Sequence, residues 1–429
     1  KYKNIMKILF IHQNFPAQLR QLANHLVKTG KHELLALKQP PSAKFDGVGV
    51  AAYKFLREPE ANTHPLLKEM EAKVLRGEAV ANAATRLKAK GYTPDVIVAH
   101  PGWGESLFLK DVWPKAKLVC YFEYYYSAIG QDFDFDPEFP ASTLAGLARL
   151  RMKNSTMQHA LEVADAGWSP TKWQQKTYPR WARSKIDVIH EGVDTDYFKP
   201  NAKASFNIAN KNITLTRQDE VITYAARALE PVRGFHAFMR ALPDLLAQRP
   251  NAHVVIMGRE KASYGPESEG HVSWLEKMLA EVGTGIDPGR VHIVGFLPRD
   301  LYRTVLQVSK AHVYLTYPFI LSWSLLEAMA SGAPIAASST APIKEFIKDG
   351  KTGALFDFFD TTNLIETVIK QLDAKQSQLD KLTRAARDLV ENNFGQVLCV
   401  EQLLKLIESV ADAKAVYKLP SKFGLTRVT

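Results

Sequence analysis

Short apolar runs alternate with longer amphipathic ones along the whole chain. "IMKILFIHQ" reads as a buried strand, and "AQLRQLANHLVKTG" as the helix that follows and stops at Gly30. "ELLALKQ" is the next strand, and "PLLKEMEAKVLRGEAVANAATRLKAKG" a long amphipathic helix ending at Gly91. "PDVIVAHP" and "AKLVCYFEYYY" are strands, and "AGLARLRMKNSTMQHALEVADAG" is a single helix. "AGWSP" is a short strand and turn, "TKWQQKTYPRWAR" a helix, and "IDVIHEGVD" closes the half. The scheme then repeats. "DEVITYAARAL", "AHVVIMGRE", "RVHIVGFLP", "KAHVYLTYP", "APIAASS" and "TGALFDF" are strands. "GFHAFMRALPDLLAQRP", "SWLEKMLAEVG", "RDLYRTVLQVS", "SLLEAMASG" and "PIKEFIKDG" are helices between them. "KASFNIANKNITLTRQ" is polar and suits a surface loop.

Strands separated by helices of this length predict right-handed βαβ units and parallel sheets. The fold class expected is α/β, with two Rossmann-like domains facing a cleft. The expected domains are an N-terminal one over 6–195, a C-terminal one over 196–398, and a helix and tail over 399–429 that pack back on the first. In such sheets ligands bind at the carboxyl ends of the strands, so the site is expected there.

At 429 residues, 46% hydrophobic and 23% charged, the chain has an ordinary globular composition. No apolar run reaches the ~20 residues that span a bilayer, and the two cysteines, Cys120 and Cys399, form no metal or disulfide spacing. A cytoplasmic location, including the inner face of the plasma membrane, is the expectation. The net charge of +10 invites a polyanion: nucleic acid, an anionic membrane or a phosphate-bearing substrate. No nucleic-acid-binding motif is present, so nucleic acid is not expected as a partner.

Three stretches could carry chemistry. In "TYAARALEPVRGFHAFMRAL", Arg227 follows a strand and Arg233 precedes Gly234 and a helix, a place for a diphosphate; one or both arginines could instead be solvated or pair with Glu230. In "LSWSLLEAMASG", Ser324 and Glu327 match a capping box, or Glu327 accepts hydrogen bonds from a ribose diol. In "PDVIVAHPGWGES", His100 ends a buried strand, where it either binds a substrate hydroxyl or serves the structure.

These residues resemble a family. "ARALEPVRG" resembles the "GRL…KG" segment of retaining GT-B glycosyltransferases of family 4, the group 1 type. "VIHEGVDTDYF" is similar to their hinge segment, and "LLEAMASGAPIAASSTAPIKEFIKDGKTGALF" to their nucleotide-sugar segment. "PDVIVAH" is similar to one of their strand ends. The resemblance implies a GT-B fold and transfer of a sugar from a nucleotide diphosphate sugar to a carbohydrate, lipid-linked or protein acceptor. It implies that Arg227 and Arg233, with backbone N–H groups of Ser322, Trp323, Ser324 and Leu325, hold the donor diphosphate, and that Glu327 holds the ribose. Gly295, Phe296 and Leu297 would line the base pocket. His100 would touch the donor sugar or the developing charge, as a catalytic residue, and Gln13, Asn14 and Gln18 would form the acceptor-side loop.

The family's first glutamate is replaced by Phe319, which leaves a non-catalytic nucleotide- or partner-binding protein as the alternative. An NAD-dependent oxidoreductase lacks its G-x-G-x-x-G turn, because "HQNFPAQ" stands there. Glu123 is a candidate general base or acceptor ligand in "CYFEYYYSAIGQDFDFDPEFP". Asp132, Asp134 and Asp136 of that stretch are spaced like the metal-binding carboxylates of the other large glycosyltransferase fold. They lie in the first domain, away from the phosphate cations, so neither a metal nor another cofactor is expected. Lys172, Trp173, Lys176, Arg180 and Trp181 interleave bases with tryptophans, as a contact with an anionic membrane would.

Overall fold

The structure, a computed structural model, describes residues 5–413 apart from 42, 142, 209, 210 and 266. It divides into two compact units. Of the described residues, the first holds 5–129, Phe139–Gly192 and 396–413; the second holds Gly130–Glu138 and Val193–Gly395.

The first unit is built on β1 (Lys7–Ile11), β2 (Glu33–Lys38), β3 (Gly49–Ala52), β4 (Val96–Ala99), β5 (Lys117–Tyr121), β6 (Ala166–Ser169) and β7 (Ile186–Val188). They pair in parallel in the order β3-β2-β1-β4-β5-β6-β7. Both faces are covered, which is why these strands read as unbroken apolar runs. Leu9, Ile11, Ile97 and Leu118 pack with Ala79, Val80 and Ala83 of helix Lys68–Ala89. On the other face, Ile8, Phe10, Val96 and Val98 pack with Leu22 and Leu26 of helix Arg20–Thr29 and with Leu403 and Ile407 of helix Gln396–Asp412. Residues 414–429 of the expected tail lie outside the described residues. The single helix expected across 145–167 is two, Leu144–Lys153 and Ser155–Val163. Asn154 breaks it, because its side-chain amide bonds both the N–H and the carbonyl of Tyr126, at 2.9 and 2.8 Å.

The second unit contains β8 (Ser205–Ile208), β9 (Ile213–Thr216), β10 (Val221–Ala228), β11 (His253–Arg259), β12 (Val291–Gly295), β13 (Ala311–Tyr314), β14 (Ile335–Ser338) and β15 (Ala354–Phe356). The last six form a parallel sheet in the order β12-β11-β10-β13-β14-β15. β8 and β9 make an antiparallel ribbon where a surface loop was expected, because Phe206, Ile208 and Leu215 bury one face of it. The helix expected in "PIKEFIKDG" is only a single 3-10 turn, Ile343–Glu345, while helices Thr361–Leu372 and Gln376–Phe394 are additional. Gly130–Glu138 falls within the expected first domain but packs in the second unit. Its Asp136 carboxylate takes the Tyr317 hydroxyl at 2.6 Å and lies 2.9 Å from His236 Nε2, and Phe135 packs on Tyr317, Phe358 and Phe359.

Buried titratable groups give the two units different acid sensitivity. Burial lowers His312 and His292 in the second unit to about 4, with Lys211 and His253 adding to the effect on His292. Burial lowers His12 in the first unit to about 3, and raises Glu105 there to about 7. A histidine whose folded pKa is depressed gives stability that is present above the unfolded value of ~6.5 and lost as pH falls below it. Each such histidine therefore costs about 2 kcal/mol between pH 7.5 and 5. Glu105 has the opposite sign: its raised pKa destabilises the fold as pH rises through the range from 4.5 to about 7, so acidification restores stability. Glu327, raised by burial, shares that sign in the second unit, but two histidines oppose it. We expect amide-exchange opening free energies in β10–β14 to fall by several kcal/mol from pH 7.5 to 5, while those in β1–β5 change little. An equal fall in both units would refute this.

Candidate functional site

In the second unit the strand order reverses between β10 and β13, and the carboxyl ends of these two strands part there, as at the ligand-binding crevice of open α/β sheets. β10 carries Arg227 next to its last residue, Ala228, and the chain runs through Glu230 into the turn Pro231–Arg233, after which Gly234 starts helix Phe235–Gln248. Gly234 has φ +66°, and a Cβ there would run into Leu315, so the tight turn requires glycine. β13 continues into Thr316, Tyr317 and Phe319. Arg233 joins the two strand ends: its Nη1 donates to Thr316 Oγ1 at 2.8 Å and to the Ile320 carbonyl at 2.9 Å.

Arg233 is only 4% exposed. Its Nε is buried without a partner, and neither Arg227 nor Arg233 forms an ion pair among the described residues. Glu230, the alternative partner, is spent elsewhere: its Oε2 accepts the N–H groups of Ser263, Tyr264 and Gly265 at 3.1, 3.0 and 2.9 Å. A buried guanidinium without a counter-charge is costly unless an anion arrives. Both arginines lie by the Tyr264 ring, with guanidinium carbons 5.9 and 5.3 Å from its centroid; Arg233 also lies 5.6 Å from that of Phe319. Phe319 is buried and meets Tyr264 edge to face at 5.2 Å, so the aromatic at this position packs on the cation.

The loop after β13 opens helix Trp323–Ala330. Ser322, not Ser324, caps it, because the helix begins one residue before Ser324. The expected capping box is absent: Glu327 accepts the Tyr302 hydroxyl at 2.9 Å, and its other oxygen has no partner among the described residues. Burial raises the Glu327 pKa, against the Tyr302 bond and the Arg299 charge. Three of the four N–H groups expected to face a phosphate are engaged internally. Ser322 donates to the Tyr314 hydroxyl at 3.0 Å, Ser324 to Ser322 Oγ at 3.4 Å and Leu325 to the Ser322 carbonyl at 3.3 Å. Leu325 is moreover core. Gly295 ends β12 at φ +66°, the Phe296 ring is exposed with the Arg259 guanidinium 4.5 Å above it, and Leu297 packs against the core.

In the first unit the order reverses between β1 and β4, and His12 and His100 stand just past those strand ends, with ring centroids 5.7 Å apart. The Asn14 and Gly102 N–H groups bond their Nδ1 atoms at 3.0 and 3.1 Å, which places the proton of each neutral ring on Nε2. His12 Nε2 then donates to Gln18 Oε1 at 3.1 Å, and Gln18 Nε2 to Glu123 Oε1 at 3.2 Å. His100 Nε2 donates to Glu123 Oε2 at 3.2 Å. Burial pushes the Glu123 pKa up, but the bonds from His100 and Gln18 outweigh it and hold the carboxyl below its usual range. Glu123 is thus a fixed anion with both oxygens engaged, and both His100 nitrogens are occupied. Gln13 pairs through its carbonyl with the Gln39 N–H, and Asn14 is exposed.

Two residues central to these clusters escaped the sequence reading. His12 had the signal that singled out His100, a histidine at the end of a buried strand. Tyr264 lies in an irregular polar loop with no periodicity to mark it. Asp136, Glu138 and His236 bring possible ligand atoms within 4.8 Å of one another, but they do not fit a cation. Asp136 holds His236 and Tyr317, and Glu138 pairs with Arg240 through both its oxygens. Of the basic aromatic stretch, Lys172, Lys176, Arg180 and Trp181 are exposed, whereas Trp173 packs on Tyr124 at 5.9 Å. No helix among the described residues is long and apolar enough to cross a membrane.

Comparison with known proteins adds to this geometry. The chain is 27% identical to a D-inositol 3-phosphate glycosyltransferase of Nocardioides over 186 residues, 41% of the chain and 38% of that protein. It is 26% identical to spore coat protein SA of Bacillus subtilis over 230 residues, 53% of the chain and 59% of that protein. The matches thus span less than two thirds of these relatives. Among solved structures, HepE of Anabaena, crystallised with UDP and glucose, aligns at a TM-score of 0.66 and 17% identity over 94% of the chain and 100% of that one. Sucrose-phosphate synthase of Thermosynechococcus elongatus aligns at 0.71 and 17% over 94% and 99%. The fold is that of GT-B glycosyltransferases. The profile of the glycosyl transferase family 4 group matches residues 30–198, and that of the glycosyl transferases group 1 matches residues 207–389. The chain belongs to the family 4, group 1 glycosyltransferases.

Proposed function

We propose that the chain transfers a sugar from a nucleotide diphosphate sugar to a glycan, glycolipid or other acceptor, with retention of anomeric configuration. The observation that carries this reading is Arg233, a buried guanidinium with no counter-ion among the described residues, beside Arg227 at the switch point of the second sheet. Two such cations suit the two phosphates of a leaving diphosphate, whose developing charge they stabilise without reorganising. The reading assigns no metal to that task. Glu327, one oxygen held by Tyr302, is assigned to the donor ribose through the other. The exposed Phe296 ring and Arg259 are assigned to the base. Of the helix-start amides, Trp323 is the one assigned to phosphate.

Solved neighbours bound to UDP and to UDP-glucose support a uridine donor as the first choice. In the first unit, Glu123 and His100 are assigned to the acceptor side. Glu123 serves as a fixed anion that orients the imidazole, with Gln18 as its second ligand. Phe319 packs on Arg233, so the aromatic at this position supports the phosphate cation.

Thermal unfolding with UDP, GDP, ADP and their sugar conjugates tests this. A ligand at 100 times its Kd stabilises the folded state by about 2.7 kcal/mol. We expect one nucleotide series to protect wild type and Glu327→Ala to lose much of that protection. Protection by none of them would sink the reading.

A further inference from the structure

Glu230 and Tyr264 belong to no role described so far, yet they frame the cation pair. Glu230 is fully buried. Its Oε2 gathers three successive N–H groups, of Ser263, Tyr264 and Gly265, as a backbone nest gathers an anion. This staples the loop after β11 to the turn that carries Arg233, whose N–H bonds the Glu230 carbonyl at 3.0 Å. The staple sets the Tyr264 ring beside both guanidinium groups, and Phe319 adds a second ring to Arg233. Tyr264 is 42% exposed, so it contributes little to the core.

We propose that Tyr264 is a positioning residue: stapled by Glu230, its ring holds the Arg227 and Arg233 guanidinium groups together as one receptor for a nucleoside diphosphate. This rests on the donor reading above. Arginine side chains are rich in rotamers, and a shared aromatic face restricts both before the ligand arrives. The interaction needs the ring and not the hydroxyl.

The experiment measures the Kd of UDP, GDP and ADP by calorimetry, with melting of the ligand-free proteins alongside. For the nucleotide that wild type binds best, we expect Tyr264→Ala to weaken binding about tenfold. Its ligand-free melting point should fall only slightly, because the ring is partly exposed and its contacts with Arg233 and Phe319 are peripheral to the core. Tyr264→Phe should bind like wild type. Glu230→Gln keeps a carbonyl oxygen for the loop and should also bind well, whereas Glu230→Ala should follow Tyr264→Ala. Unchanged or tighter binding by Tyr264→Ala overturns the inference and leaves the donor reading standing. So does Tyr264→Phe binding as weakly as Tyr264→Ala. A wild type that binds none of the three overturns both.

Discussion

Replacing Arg233 by methionine is expected to abolish nucleotide protection while leaving the ligand-free protein about as stable as wild type. Arg233 is 4% exposed, carries an unpartnered Nε, and meets no carboxylate among the described residues. Burying that charge works against folding. The bonds to Thr316 and Ile320 and the contacts with Tyr264 and Phe319 offset part of the cost. Methionine fills the space, removes the charge and forfeits those bonds, so the two changes in stability oppose each other. Their sum is expected within about 1 kcal/mol of zero. Function responds differently. Removing one preorganised donor from a site of developing negative charge typically lowers turnover by about 10²–10³. Arg233→Lys should lie between, because it keeps a cation but cannot span Thr316, Ile320 and a phosphate at once. The check is melting with and without the best-binding nucleotide, followed by kcat/KM with its sugar conjugate. A large loss of ligand-free stability would mark Arg233 as structural instead.

Asp165→Ala is the largest expected stability loss, about 3–5 kcal/mol. This carboxylate lies 3.0 Å from Lys110 Nζ and 3.9 Å from Lys117 Nζ, all three side chains being under 10% exposed, and it accepts the Leu118 N–H at 2.9 Å. Lys185 feels the same charge, and burial lowers its pKa as it does that of Lys117. Without Asp165, three lysine charges in the first unit lose their shared counter-ion. Asp165→Asn keeps an acceptor for Leu118 and isolates the charge. Lysines with depressed folded pKa values bind fewer protons folded than unfolded, so the deficit of either variant should shrink from pH 7 to 9.5. Urea unfolding at the two pH values measures it. A deficit under about 1 kcal/mol, or one that grows with pH, would show the cluster to be exchangeable with solvent.

The sequence was most readable where one period dominates a segment. Continuous runs such as "KILFI" and "VIVA" declare strands buried on both faces, and Gly30 and Gly91 mark helix ends. Arg227, Arg233 and Glu327 could be picked out because strand-to-helix junctions are local in sequence. Long-range choices were hidden. Nothing near Glu230 says that its carboxylate serves a loop some 33–35 residues on rather than its neighbour Arg233. Nothing near Ser324 says that Tyr302, in another helix, takes Glu327 from a capping box. The break at Asn154 is set by a backbone 28 residues away, which no helical periodicity encodes. The segment around Asp136 was hidden for the same reason, since its partners His236 and Tyr317 lie at separations of 100 and 181 residues.

Leu403 and Ile407 of the helix Gln396–Asp412 close one face of a sheet whose strands are complete by Val188. A ribosome synthesising at about 5–20 residues per second needs roughly 10–40 s to travel from the end of that sheet to the helix at Gln396–Asp412. Through that interval Ile8, Phe10, Val96 and Val98 wait without their last covering. The half made first is therefore the half finished last, and the emerging chain presents its apolar flank to chaperones while the later half is still being made.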